Sequence, residues 1–288
     1  MKKLSIILAI LTATALFAET IRTVDMDFRG HLQGIAADET GIYCSFAHDM
    51  MKVDYSGKTI RRFTTPSHAG DLTTDGSKVY CAVSLWYKEP IEKYGASSCI
   101  FIYDKDLNLL EVKPFKTLRG FDGIAYLNGK FYVGLNDLGS KLRNENRIAI
   151  FDKNFALLKI AAVTIGKPTK FGAQTINRFN GKLLAGFYGG GENSFIFDPA
   201  ELETSDTTVK PIGTLPINVT VGFTELPPRV ASPGTFIEAR NSRKKDPVSG
   251  KKKYGAKFFI KCQAANGKLK SASLLLNKKT TNSVFPLD

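Results

Sequence analysis

Residues 31–44 read HLQGIAADETGIYC, and residues 68–81 read HAGDLTTDGSKVYC. Aligned without a gap, both start on histidine, carry an aspartate in the middle and end on Tyr-Cys; Ile35 and Ile42 align with Leu72 and Val79. The outline returns in GFDGIAYLNGKFYVGLN (120–136) and FGAQTINRFNGKLLAGFY (171–188), with the turn Asn-Gly-Lys at 128–130 and 180–182. A third segment follows each time, closing on aspartate or a substitute: MMKVD (50–54), CIFIYD (99–104), RIAIFD (147–152), SFIFD (194–198) and KFFIKC (257–262). A fourth comes after it: TIRRFTT, LLEVKPF, LLKIAAV and VKPIGTL. The second segments centre near residues 44, 81, 133, 185 and 237, a spacing that settles at 52 after a compact first unit.

Such a period constrains the fold more than any composition. Short segments that alternate apolar and polar residues across Asn-Gly, Asp-Gly and Ser-Gly turns are antiparallel hairpins. Four strands per unit make a propeller blade, which buries its faces only by stacking on neighbours in a ring. The sequence therefore predicts one all-β domain over 19–288, a β-propeller of five four-stranded blades. The fifth takes GFTEL (222–226) as its inner strand. IRTVDMDF (21–28) precedes the first inner strand and is expected to complete the last blade and close the ring. Six blades are the alternative, with the extra one hidden in the Pro-rich stretch 200–235.

The phrase FDGIAYLNGKFYV (121–133) resembles the blade signature of NHL-repeat and SMP-30/gluconolactonase-like propellers, and the likeness spans residues 31–198. That resemblance implies a propeller. Its lactonases hold a divalent cation in the channel with Glu, Asn and Asp. Here only Asp122 matches that set, and His31 and Gln33 stand where the acid of blade one is expected.

Residues 1–18 read as an export signal: Lys2 and Lys3, an apolar run over Leu4–Leu11, then Ala-Leu-Phe-Ala before a cleavage point near Ala18. The run is too short to span a bilayer. A periplasmic or secreted monomer, with no transmembrane segment after cleavage, is the expectation. Cys44 and Cys81 fall at one repeat position on separate sheets, which favours small buried thiols over disulfides, and Cys99 and Cys262 are read the same way. The net charge is +13, and Arg240–Asp288 holds thirteen Lys/Arg against two acids. The rest of the mature chain is neutral. A basic block on a neutral body points to an anionic partner or a solvated face. Nucleic acid is disfavoured, because the block lacks interleaved aromatics.

In a propeller the loop entering each inner strand and the loop between second and third strands open on one rim. His31 and His68 are equivalent there, and so are Gln33, Gly70, Asp122 and Gln174, with Asp71 one step further. His48 lies in a rim loop of blade one, so all three histidines of the chain face one channel mouth. Trp86, Tyr87, Asn136, Asp137, Arg143 and Tyr188 come from rim loops of blades two to four, and Arg243, Lys244 and Lys245 from blade five. Asp38 and Asp75 fall at the opposite rim, as turn residues.

Histidine beside carboxylate suits a divalent metal held by His31, His68 and Asp122. The set His31, His68, Asp71 and Asp122 also suits acid–base chemistry, and Asp71 with Asp122, or with Glu225, is a candidate carboxylate pair. The repeated histidines are equally readable as turn caps. Three functions stay open: a module binding a small polar or anionic ligand or an anionic glycan; a metal-dependent hydrolase of lactonase or phosphoester type; and a protein-interaction scaffold.

Overall fold

The computed structural model describes residues 20–28, 30–136, 141–245, 249–263 and 269–271. The expected export signal lies outside the described residues.

Blade one is β2 (Leu32–Asp38), β3 (Gly41–Phe46), β4 (Asp49–Val53) and β5 (Thr59–Thr64). Blade two is β6 (His68–Thr74), β7 (Val79–Ser84), β8 (Ser98–Tyr103) and β9 (Leu109–Phe115), with a short helix α1 (Lys88–Tyr94) between β7 and β8. Blade three is β10 (Phe121–Leu127), β11 (Lys130–Leu135), β12 (Asn146–Asp152) and β13 (Leu157–Val163). Blade four is β14 (Lys170–Phe179), β15 (Lys182–Tyr188), β16 (Ser194–Phe197) and β17 (Gly213–Leu215), with α2 (Pro199–Thr204) before β17. Blade five is β18 (Phe223–Glu225), β19 (Thr235–Lys245) and β20 (Lys252–Gln263). The N-terminal strand β1 (Thr20–Phe28) pairs antiparallel with β20 and completes that blade, as expected from its position in the sequence. A short β21 (Leu269–Ser271) pairs with Lys261–Gln263 further along the same β20 edge. The ring has five blades, not six.

The packing explains the ring. Five apolar clusters sit one between each pair of neighbouring blades. Alternation along a strand sends successive side chains to opposite clusters: Cys44 faces blade five, whereas Tyr43 faces blade two. Most of the three inner strands is therefore buried on both faces, and β3, β4, β7 and β8 are buried throughout. This departs from the alternating half-buried pattern expected from sequence. That exposure is left to the outer strands β5, β9 and β13. Cys44, Cys81 and Cys99 are free buried thiols; burial pushes that of Cys99 up to about 12, so it stays protonated and inert. Cys262 is half-buried on β20.

The repeated letters have local jobs. In the two opening stretches the middle aspartate accepts the hydroxyl of the closing tyrosine, Tyr43 to Asp38 at 2.8 Å and Tyr80 to Asp75 at 2.7 Å. Asp38 also accepts Thr40 N–H, and Asp75 accepts Ser77 and Lys78 N–H. Both are turn residues of the far rim, as the sequence suggests. The aspartates that close third strands fold the next turn: Asp54, Asp104 and Asp152 each accept two backbone N–H groups from two and four residues on. Asp198 caps α2 instead. No helix among the described residues is long and apolar enough to cross a membrane.

Candidate functional site

Inner strands β2, β6, β10, β14 and β18 line the centre of the ring, and their entry loops share a rim with the loops between second and third strands. Two polar groupings form there, on either side of Gly70, which offers no side chain.

The first belongs to blades one and two. Gln33 Nε2 donates to His31 Nε2 at 3.1 Å and to His68 Nε2 at 2.8 Å. One amide therefore joins the two equivalent histidines. Because both Nε2 atoms accept, both rings are neutral with the proton on Nδ1. The electrostatics agree: burial lowers the pKa of His31, and burial with nearby His31 and His48 lowers that of His68 to about 4. Trp86 stacks on His68 with ring centroids 4.4 Å apart, yet stays 62 % exposed. Tyr87, also exposed, lies 6.4 Å from the half-buried His48 ring. Nδ1 of His68 is buried without a hydrogen-bond partner.

The second grouping belongs to blades three and four. Asp122 Oδ2 accepts Gln174 Nε2 at 3.1 Å, and the nearby Asn136 amide also favours the charged carboxylate. Gln174 is held in turn by the Phe171 carbonyl at 2.8 Å. Phe171 itself has φ +61° and packs edge-on against Tyr188, 5.8 Å away. Burial pushes the Asp122 carboxyl up to about 7 despite the neighbouring Gln174 and Asn136 amides. Tyr188 is half-buried, and the Asp122 charge helps hold its hydroxyl protonated.

Asp71 sits apart from both groupings. It is fully buried, and its oxygens accept Leu72 N at 2.9 Å, Ile176 N at 2.9 Å and Ile124 N at 3.4 Å. One carboxyl thus ties the inner strands of blades two, three and four. Gly34, one position after Gln33 in blade one, makes the room, because a Cβ there would collide with Asp71. Glu225 is placed near Arg178 and Asn180 at the far rim, so it does not pair with Asp71 or Asp122. Arg143 is exposed, and its backbone bridges to Thr169. Asp137 and the Lys244 side chain lie outside the described residues.

His31, His68 and Asp122 do not converge on a point. The two imidazole Nε2 lone pairs are taken up by Gln33, and Asp122 is engaged by amides of other strands. Among the described residues no three His, Cys, Asp or Glu side chains are grouped to hold a metal ion. The arrangement fits hydrogen-bond recognition better than a cation.

No family model matches the chain, and no curated protein matches it. Solved structures match its shape. The glutaminyl cyclase of Myxococcus xanthus superposes with a TM-score of 0.51 at 15 % identity, over 88 % of this chain and 97 % of that one. The WD40 repeats of RRP9 give 0.45 at 8 % identity, over 89 % and 82 %. A protein of unknown function from Bacteroides caccae gives 0.44 at 16 %, over 87 % and 83 %. At these identities the likeness to the cyclase is one of fold. This chain is a β-propeller.

Blade five adds an element that the sequence shows only as a basic loop or hairpin. Strands β19 and β20 stay paired out to Lys245 and Lys252, well past the rim. The arm is rooted beside the first grouping, where Asn241 Oδ1 accepts Leu32 N–H at 2.8 Å. Sequence reading also leaves unassigned the bridging role of Gln33 and the Asn136–Asp122–Gln174 contacts. The repeat alignment signals the latter by placing Asp122 and Gln174 at one ring position.

Proposed function

We propose that this chain is an exported binding module that recognises a small polar ligand, sugar-like in its hydroxyl content, at the channel mouth. The observation that carries the reading is the first grouping: two neutral imidazoles joined by Gln33, an unsatisfied buried N–H on His68, and the exposed Trp86 face above it. A buried donor without a partner costs about 1–3 kcal/mol. A flat aromatic beside neutral hydrogen-bonding groups suits the apolar face and hydroxyls of a sugar ring. Export rests on the residues of 1–18, and N-terminal sequencing of the cell-derived protein tests it: a start at Glu19 is expected.

The test of binding is a panel of neutral and acidic mono- and oligosaccharides, read by thermal shift and then by calorimetry. Ligands found this way should bind Trp86→Ala and Gln33→Leu at least about tenfold more weakly. Binding that neither substitution weakens removes the channel mouth from the reading.

A second reading is enzymatic, and one observation favours it. A carboxyl held at about 7 beside Tyr188 is poised for acid–base work near neutral pH. The cyclase of similar fold is an enzyme by its name. Chemical turnover of any bound ligand that is lost in Asp122→Asn, with binding retained, would move the proposal from module to enzyme.

A further inference from the structure

The β19–β20 arm has two faces, and alternation assigns them. Ile237 and Ala239 on β19, and Ala256, Phe258 and Ile260 on β20, pack into the cluster shared with blade one. Asn241 continues that face and meets Leu32 of blade one. By the same period of two, Arg243, Lys245, Lys252 and Tyr254 lie on the blade-one side, where Tyr254 packs against the cluster edge. Lys244, Lys253 and Lys257 belong to the other side by register.

The arm is built at an electrostatic cost. Lys245 stands directly opposite Lys252. Like charges directly across a sheet repel. The main sheet gives the outer rungs little support, since β18 pairs only with Phe236–Glu238 and β1 ends opposite Tyr254. Arg243 lies over the Tyr254 ring at 5.9 Å, and no carboxylate among the described residues pairs with Arg243, Lys245 or Lys252. Cations on this face repeat about every 7 Å along β19.

We infer that the blade-one face of this arm, Arg243, Lys245, Lys252 and Tyr254, is a second binding surface, for the negatively charged groups of an acidic oligosaccharide whose neighbouring sugar rings reach the channel mouth. The inference rests on the channel-mouth reading for the sugar rings and on the arm alone for the charges. The two bridged histidines offer no positive charge, since both Nε2 atoms accept from Gln33, so attraction for an anion has to come from the arm. A bilayer is a poorer fit, because the described part of the arm presents no exposed large apolar side chain for insertion. Single-stranded nucleic acid is poorer too, since Arg243 already covers the arm's aromatic ring.

The test uses the full mature chain with three probes: oligogalacturonate, a neutral galacto-oligosaccharide of equal length, and vesicles containing phosphatidylserine. The wild type should bind oligogalacturonate in a salt-dependent way and prefer it to both other probes. Arg243→Gln/Lys245→Gln/Lys252→Gln should weaken that binding about tenfold or more and flatten its salt dependence. Lys244→Gln/Lys253→Gln/Lys257→Gln removes equal charge from the opposite face and should cost less than about threefold. Equal losses in the two triple variants would reduce the effect to net charge and overturn the inference, as would equal or tighter binding to the vesicles. Trp86→Ala separates the two readings. If it leaves oligogalacturonate binding intact while the arm triple abolishes it, the arm stands and the channel mouth falls; the reverse result sinks the arm.

Discussion

Two buried carboxyls lie one ring step apart and are held in opposite ways. Asp71 is gripped by backbone N–H groups from three blades, whereas Asp122 is held by the side-chain amide of Gln174, with that of Asn136 close by. Backbone donors move only if strands move, so Asp71 is part of the ring itself. Amide side chains can rotate, so Asp122 sits in an environment that a ligand can rearrange. Burial raises both pKa values, Asp71 well above the usual carboxylate range and Asp122 to about 7. A buried acid at a channel is therefore no sign of function until its donors are known.

The harshest way to break this contrast is Asp71→Ala. It orphans N–H groups of Leu72, Ile124 and Ile176 together, and should cost about 3 kcal/mol or more, read as a lowered urea midpoint. A loss below about 1 kcal/mol would mean that Asp71 is no hub.

The second effect is in the pH profile. A folded pKa raised to about 7 means that Asp122 favours folding below pH 4, and that this contribution is lost as pH rises to 7. Asp122→Asn should therefore gain stability relative to wild type across that window, by up to about 4 kcal/mol. His68 has the opposite sign: its contribution is present above pH 6.5 and lost as pH falls through about 4. His68→Gln should then lose less than wild type on acidification. Urea melts at pH 4, 5.5 and 7 decide both, and parallel profiles for all three proteins would contradict them.

Gln33→Leu sharpens the mouth side of the comparison at smaller cost, about 1–2 kcal/mol. Its diagnostic is the imidazole state. Nitrogen NMR at neutral pH should find both rings protonated on Nδ1 in the wild type, and the Nδ1 preference should be lost at His31 in the variant. Trp86→Ala should be mildest for stability, within about 1 kcal/mol, because the ring is mostly exposed. A large drop in melting temperature there would make Trp86 a packing residue.

The ring was legible because its repeat recurs in sequence: Asp38 and Tyr43, and Asp75 and Tyr80, make one bond in two blades. The closing strand was legible by position alone. The double burial of β3 and β7 was not, because both apolar faces of a blade compress into one short run of letters. At the mouth, the repeat brought His31, His68, Gln33, Asp122 and Gln174 to one level. It did not show that Gln33 would stand between the histidines, because that depends on side chains meeting across two blades. Asp71 read as a mouth residue for the same reason, since the N–H groups that claim it come from strands far along the chain. The two short helices escaped notice because each is a single excursion that no other blade repeats.

The pairing of β1 with β20 joins the first strand made to one of the last. Contacts so distant in sequence form slowly. Until nearly the whole chain is available, β1 has no partner and the cluster between blades one and five has only one wall. The ring can thus hold four blades in waiting but cannot lock early. Its closure is a late, all-or-none event, and a chain cut short before Lys252 should behave as an open, protease-sensitive arc, not as a smaller propeller.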